Sequence, residues 1–329
     1  MKRLAVIGAG SWGTALSIVL SPRFDSIHLW AREEAVAVRI NAARENAEYL
    51  PGFRLPSNIT ASASLAQTVQ DADLVLGVVP SQFARGVYLQ LRESLRPDVP
   101  VVSATKGLER GTLKRISQVI HETLPNPQIA VLSGPTFARD VAQGAPTALV
   151  IASVDEALGR TLQQALVTPS FRPYTNTDVI GVEIGAALKN VVAIGAGVCQ
   201  GLGLGHNSIA ALITRGLAEI TRLAVAVGGE SRTLAGLAGL GDLVLTCTGE
   251  LSRNRRVGIE LARNRKLGEI VGSMKMVAEG IDTTAAGLAL ASRYQVDMPV
   301  SAQVAALLRG EKSPQEAVRE LMERSAKGE

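Results

Sequence analysis

Residues Ala5 to Leu16 read AVIGAGSWGTAL, an apolar run broken by three glycines and resumed in the small, apolar pattern of a helix. Gly8, Gly10 and Gly13 have the spacing G-x-G-x-x-G, directly after a predicted strand and at the opening of a predicted helix. In that setting each glycine has its own task. The first permits a sharp turn, the second lets a pyrophosphate approach the backbone, and the third allows helix and strand to pack closely. The anion would rest at the helix N-terminus, where backbone N–H groups and the helix dipole attract negative charge. A plain glycine turn would explain the three residues taken alone; the strand before, the helix after and the βαβ pattern beyond favour a dinucleotide site.

That pattern continues to about Thr177. Strand candidates are Leu4 to Ile7, Ile27 to Trp30, Leu74 to Val78, Val99 to Ser103, Ile129 to Leu132, Ala148 to Ile151 and Arg172 to Thr175. They alternate with helical stretches, as a parallel sheet of βαβ units requires. The loops VPSQF, ATKGL and SGPTF follow three of them, at the carboxyl ends of strands where open α/β sheets bind ligands. From Asp178 onward β-branched runs thin out and helical spacing takes over, with helices expected at Gly181 to Gly203, Ser208 to Val227, Ser252 to Arg263, Thr283 to Arg293 and Pro314 to Ser325. A chain of 329 residues exceeds what one hydrophobic core organises, so two domains are expected, 1–177 α/β and 178–329 α-helical.

The residue after the second strand chooses between cofactors, an acid accepting the ribose 2'-hydroxyl of NAD and an arginine tolerating the 2'-phosphate of NADP. Here the strand ends IHLWAREE; Arg32 comes first and Glu33 next, which favours NADP without excluding NAD. A nicotinamide enzyme acting on a carbonyl also needs a proton donor tuned towards neutral pH. Lys189, in the apolar stretch AALKNVV, is costly to bury as a cation, so its pKa is expected to fall; a lysine reaching the surface is the alternative. Lys106, in the loop TKGL, would polarise a substrate oxygen and lower the pKa of Lys189 further, or would simply face solvent. Asp242 sits in the glycine turn GLGDLVLTC, and Ser252, Arg253 and Asn254 open a helix in LSRNRR. Ser252 would cap that helix while Arg253 and Asn254 face a phosphate; Arg255 and Arg256 fit a solvated first turn, and Asp242 fits a turn-forming role as well.

Other classes of function find little support. The net charge is only +4, and the basic residues are dispersed and seldom interleaved with aromatics, so no nucleic-acid partner is expected. The three histidines lack metal-ligand spacing, the two cysteines are not in CxxC, and no nucleophile elbow is present, so neither a metal nor covalent catalysis is expected. No signal peptide or membrane span is expected, and two cysteines make no disulfide framework; a reducing cytoplasm fits.

The ordered motifs GAGSWGTAL, SATKGL, LSGPTFA, GAALKNVVAIGAGVCQGLGLG, AALITRGLAE, LAGLGDLVLTC, SRNRRVG and VAEGIDT run over nearly the whole chain. Together they resemble the NAD(P)-dependent glycerol-3-phosphate dehydrogenases of bacteria. The resemblance implies an N-terminal Rossmann-type parallel-sheet domain followed by a mostly α-helical domain like the C-terminal domain of 6-phosphogluconate dehydrogenase. It implies reversible hydride transfer between NADPH or NADH and dihydroxyacetone phosphate, giving sn-glycerol 3-phosphate for phospholipid synthesis, and a homodimer through the helical domain. By the same resemblance Lys189 is the proton donor and acceptor, and Lys106, Gly134, Thr136, Lys189, Asp242, Ser252, Arg253 and Asn254 line the substrate site. Cofactor contacts would come from Ser11, Trp12, Arg32, Lys106, Ala138, Arg253, Val277 and Glu279, besides Gly8, Gly10 and Gly13. His206 and Ile209 depart from the family pattern, where aspartate is usual and lysine common, which bears on substrate affinity. The rivals are a hydroxyacid or 6-phosphogluconate dehydrogenase, disfavoured by the phosphate clamp and Lys106, and a non-catalytic NAD(P) sensor, disfavoured by the intact Lys189 and Asn190.

Overall fold

The computed structural model describes residues 1–274 and 276–324. They form two compact units, Met1–Glu109 with Lys114–Glu183, and Arg110–Leu113 with the chain from Ile184 onward.

The first unit is built on one sheet of eight strands, β1 (Arg3–Ile7), β2 (Ser26–Trp30), β3 (Ile59–Ser62), β4 (Leu74–Gly77), β5 (Val101–Ser103), β6 (Ile129–Ser133), β7 (Thr147–Ala152) and β8 (Phe171–Asn176), ordered β3-β2-β1-β4-β5-β6-β7-β8. Leu4, Ala5, Val6 and Ile7 are all fully buried, which is why this strand reads as an unbroken apolar run. The pleat divides them: Leu4 and Val6 pack with Leu16, Leu29 and Leu76 on one face, Ala5 and Ile7 with Val75, Tyr88 and Val101 on the other. The order reverses on either side of β1, which places the crevice at its carboxyl end, where the glycine turn lies.

Two features depart from the expected sheet. Strand β3 was not foreseen, because the four residues ITAS are too short and too polar to stand out. The strands run parallel only as far as β6; β7 pairs antiparallel with β6 and parallel with β8. The reason is the connection. Between β6 and β7 the chain has only the five-residue helix Ala138–Ala142, whereas β7 and β8 are joined by the eleven-residue helix Glu156–Leu166, long enough to cross the sheet.

The second unit is helical. Residues from Ile184 within the Val179–Gly201 helix form its buried centre, and glycines set how closely the Arg253–Ala262 helix approaches. A Cβ on Gly197 would lie 1.9 Å from the Arg255 carbonyl oxygen, and one on Gly258 would lie 1.9 Å from that of Ile194. The two backbones therefore touch. Glu219, inside the His206–Ala226 helix, accepts hydrogen bonds from the Val300 and Ser301 amides (2.5 and 3.1 Å) and so caps the Pro299–Leu308 helix, which the sequence reading did not include. The helix expected from Thr283 begins a turn earlier, at Glu279, and that expected from Pro314 runs to Met322; its expected end, Ser325, lies outside the described residues. Among the described residues Val179–Gly201 is long and apolar enough to cross a membrane by length and composition, but 94% of the relevant window is buried in protein.

Candidate active site

The glycine turn meets the steric demands expected of a dinucleotide cradle. Gly8 has a left-handed φ of +124°, and a Cβ there would lie 2.8 Å from the Val78 carbonyl oxygen. One on Gly13 would lie 1.9 Å from the Gly8 carbonyl oxygen. Gly10 is the opposite case, since a Cβ there would meet nothing within 4 Å, so this is where a ligand can approach. Gly10 also precedes the Ser11–Leu20 helix, whose N-terminus carries no side-chain cap. These residues fit a bound pyrophosphate.

Trp12 follows at the second helical position. Its indole Nε1 is buried without a hydrogen-bond partner, and its ring lies 6.0 Å from the Lys106 Nζ. Lys106 is not the solvent-facing residue that the sequence also allowed. From the loop after β5 its ammonium donates to the Gly134 carbonyl and the Thr136 hydroxyl, both at 3.0 Å. Gly134 has φ +149° and a Cβ there would lie 2.8 Å from the Leu149 Cα, so the SGPT loop keeps its shape only with glycine. Ala138 opens the short helix packed against Ser11–Leu20. Thus Trp12, Lys106, Gly134 and Thr136 form one constellation. Arg32 is exposed and pairs with Glu33 at 3.1 Å.

In the second unit Lys189 is 5% exposed, so it does not reach the surface. Its Nζ pairs with the Asp242 carboxylate and donates to the Thr246 hydroxyl at 3.0 Å. Asp242 and Thr246 are themselves only 1% and 5% exposed. Asp242 is more than a turn former: it opens the helix Asp242–Thr248, and Thr246 stands one turn later on the same face. The Thr246 hydroxyl donates to the Asp242 carbonyl at 2.6 Å, which leaves its oxygen lone pairs to accept from lysine. The expectation for Lys189 rested on burial and on the charge of Lys106, with no carboxylate partner; Asp242 neutralises the buried ammonium and fixes where it points. Burial pushes the neighbouring Cys247 thiol up to about 12, so the thiol stays protonated.

The phosphate-clamp residues divide. Ser252 caps the Arg253–Ala262 helix, accepting from the Arg255 amide at 3.2 Å. Asn254 is buried instead of facing outward: its Nδ2 donates to Asn190 Oδ1 at 2.9 Å, and its Oδ1 accepts from the Gly280 amide at 3.0 Å. It therefore ties the residue after Lys189 to the start of the Glu279–Arg293 helix. A Cβ on Gly280 would lie 2.7 Å from both the Asn190 carbonyl oxygen and Asn254 Oδ1. Arg253 is exposed and donates to the Val277 carbonyl at 2.9 Å, which brings it to the stretch carrying Glu279. His206 is exposed at the first position of its helix and Ile209 is half-buried in the same turn.

Sequence reasoning missed Thr246 and Gly280. The spacing of four residues between Asp242 and Thr246 was a usable signal, since it puts both on one helix face. Gly280 carried none, because only the approach of two other segments makes it obligatory.

Comparison with known proteins supplies the rest. Residues 3–159 match the family model for the NAD-dependent glycerol-3-phosphate dehydrogenase N-terminus, and residues 178–319 match that for its C-terminus. The chain is 53% identical over 329 residues to a glycerol-3-phosphate dehydrogenase (NAD(P)+) of Koribacter versatilis, covering 98% of each protein. It is 50% identical over 332 residues to that of Geobacter sulfurreducens, covering 100% of this chain and 99% of the relative. The crystal structure of glycerol-3-phosphate dehydrogenase from Coxiella burnetii superposes with a TM-score of 0.95 at 39% identity, covering 98% of this chain and 99% of that one.

Proposed function

The chain belongs to the NAD-dependent glycerol-3-phosphate dehydrogenase family, and from that premise we propose how its residues share the reaction. It is an NAD(P)-dependent oxidoreductase interconverting dihydroxyacetone phosphate and sn-glycerol 3-phosphate. The nicotinamide, when bound, supplies or accepts the hydride at C2 of the substrate. Every other requirement falls to side chains and backbone of this chain.

Lys189 gives a proton to the C2 oxygen during reduction and takes it back during oxidation. The observation that carries this assignment is the buried Nζ held by Asp242 and Thr246, an ammonium fixed in direction and shielded from water. Lys106 polarises a substrate oxygen, its Nζ steadied by Gly134 and Thr136. Ser252, Arg253 and Asn254 hold the substrate phosphate, Arg253 through its charge and Asn254 through an amide oriented by Asn190. Gly8, Gly10, Ser11, Trp12, Gly13 and Ala138 hold the dinucleotide, with Val277 and Glu279 beside Arg253. Arg32 favours NADPH over NADH through the 2'-phosphate. Residues 1–177 are the NAD(P)-binding domain and 178–329 the catalytic one. The product serves glycerophospholipid synthesis, and the protein works as a cytoplasmic homodimer.

The test is oxidation of NADPH and of NADH by dihydroxyacetone phosphate, followed by the absorbance of the reduced nicotinamide, with hydroxyacids as control substrates. Lys189→Ala is expected to lower kcat by about 10²–10⁴-fold while NADPH still binds. Near-wild-type turnover in that variant would remove Lys189 from the role given to it.

A further inference from the structure

Asn46 lies between the Glu34–Ala43 helix and β3, outside every motif that the sequence brought forward. Its surroundings are fastened independently of any ligand. Arg44, at a left-handed φ of +53°, donates to the carbonyls of Ile59 (2.7 Å) and Leu55 (3.4 Å) and to that of Pro56. The Gly52 amide donates to Glu45 Oε1 at 2.9 Å, and Leu50 and Leu55 are buried in the core of the first unit. Asn46 itself is 1% exposed.

From this fixed base the side chain reaches back more than thirty positions along the sequence, to the glycine turn. Its Nδ2 donates to the Ala9 carbonyl and to the Thr14 hydroxyl, both at 2.8 Å, and its Oδ1 accepts from the Tyr49 amide at 3.3 Å. Both hydrogens of the amide group are thereby used. The Ala9 carbonyl belongs to the Ala9–Gly10 peptide, and in a trans peptide the C=O and the following N–H point to opposite sides. Drawing the Ala9 oxygen toward Asn46 thus fixes the direction of the Gly10 N–H, at the one glycine of the turn whose Cβ position is open. The Thr14 bond pins the first turn of the Ser11–Leu20 helix, the N-terminus that would face the anion.

We infer that Asn46 is a positioning residue for the dinucleotide: it presets the glycine turn so that binding does not have to order it. The inference rests on the cofactor reading of the turn and is independent of the roles given to Lys189, Lys106 and the phosphate clamp. The experiment is equilibrium binding of NADPH to the purified full chain, without dihydroxyacetone phosphate, by the fluorescence of the reduced nicotinamide. Asn46→Ala and Asn46→Asp are expected to raise Kd by about fivefold to a hundredfold, the range for leaving a buried acceptor unpaired. Asn46→Asp should be the worse, because a carboxylate sets a lone pair against the Ala9 oxygen and adds negative charge near the pyrophosphate position. Thr14→Val, which removes one acceptor and keeps the shape, should raise Kd less, by about fivefold; it decides the matter if neither Asn46 variant folds. The KM for NADPH should rise in step while that for dihydroxyacetone phosphate stays within about twofold, a split that a general loss of folded protein would not give. A Kd within about twofold of wild type in every folded variant, or equal losses for both substrates, overturns the inference. A wild-type chain that binds no NADPH overturns it together with the cofactor reading beneath it.

Discussion

Replacing Asp242 by leucine leaves the Lys189 ammonium inside the protein without the carboxylate that neutralises it. The side chains of the pair are 7% and 1% exposed, so solvent cannot take over the work of the carboxylate. Breaking a pair buried to this degree costs about 3–5 kcal/mol, most of it the penalty of an uncompensated charge and only part of it lost attraction. Removing both charges, with Lys189→Met beside Asp242→Leu, should return most of that loss, because apolar groups of similar volume need no compensation. The chain has two compact units, so a single melting curve does not isolate this cost; amide hydrogen exchange resolved by peptide does. In peptides from Ile184–Gly201 and Asp242–Thr248, Asp242→Leu should speed exchange through opening by roughly a hundredfold to a few thousandfold, at about 1.4 kcal/mol per tenfold. The double variant should exchange within about tenfold of wild type, giving a coupling of several kcal/mol. Additive effects, with coupling below about 0.5 kcal/mol, would refute the ion pair as the source of the cost.

Two further outcomes follow from the same structure. Arg32→Ala should raise the KM for NADPH by about tenfold or more and leave that for NADH nearly unchanged, since only NADPH carries the 2'-phosphate that a guanidinium would hold; equal changes for the two cofactors would remove Arg32 from cofactor choice. Burial raises the pKa of both cysteines, that of Cys247 to about 12. Neither thiol should therefore be alkylated by iodoacetamide in the native protein at about pH 8, while both should react in denaturant; native labelling of Cys247 would contradict the burial of the helix that carries it.

What could be read beforehand was whatever a single segment determines by itself. The strand, turn and helix around Gly8, Gly10 and Gly13 are local: Gly8 and Gly13 lie against backbone and the Cβ position of Gly10 is open, as their places in the motif demand. The stretch GVEIGAALKNVVAIGAGVCQGLG is apolar nearly all round and has few places to go but the interior, and from Ile184 it forms the buried centre of the second unit. Where residues far apart in sequence meet, local pattern failed in a systematic way. Lys189 was legible as a buried lysine, but its partner at Asp242, 53 positions away, could be read as a turn residue, and Thr246 drew no notice although it shares a helix face with Asp242. Asn254 shows the same limit: an amide at a helix start suggested a group facing an anion, and nothing in its own segment announced the partners that its Nδ2 and Oδ1 find in two other helices. The reversal at β7 has the same cause, since strand direction depends on whether the connection is long enough to cross the sheet, and the residues of the strand do not record that length. Polar side chains in a buried setting must find partners wherever the fold supplies them. Asn46 therefore carries no signature in its own segment, and its meaning lies in the Ala9 carbonyl to which it is bonded.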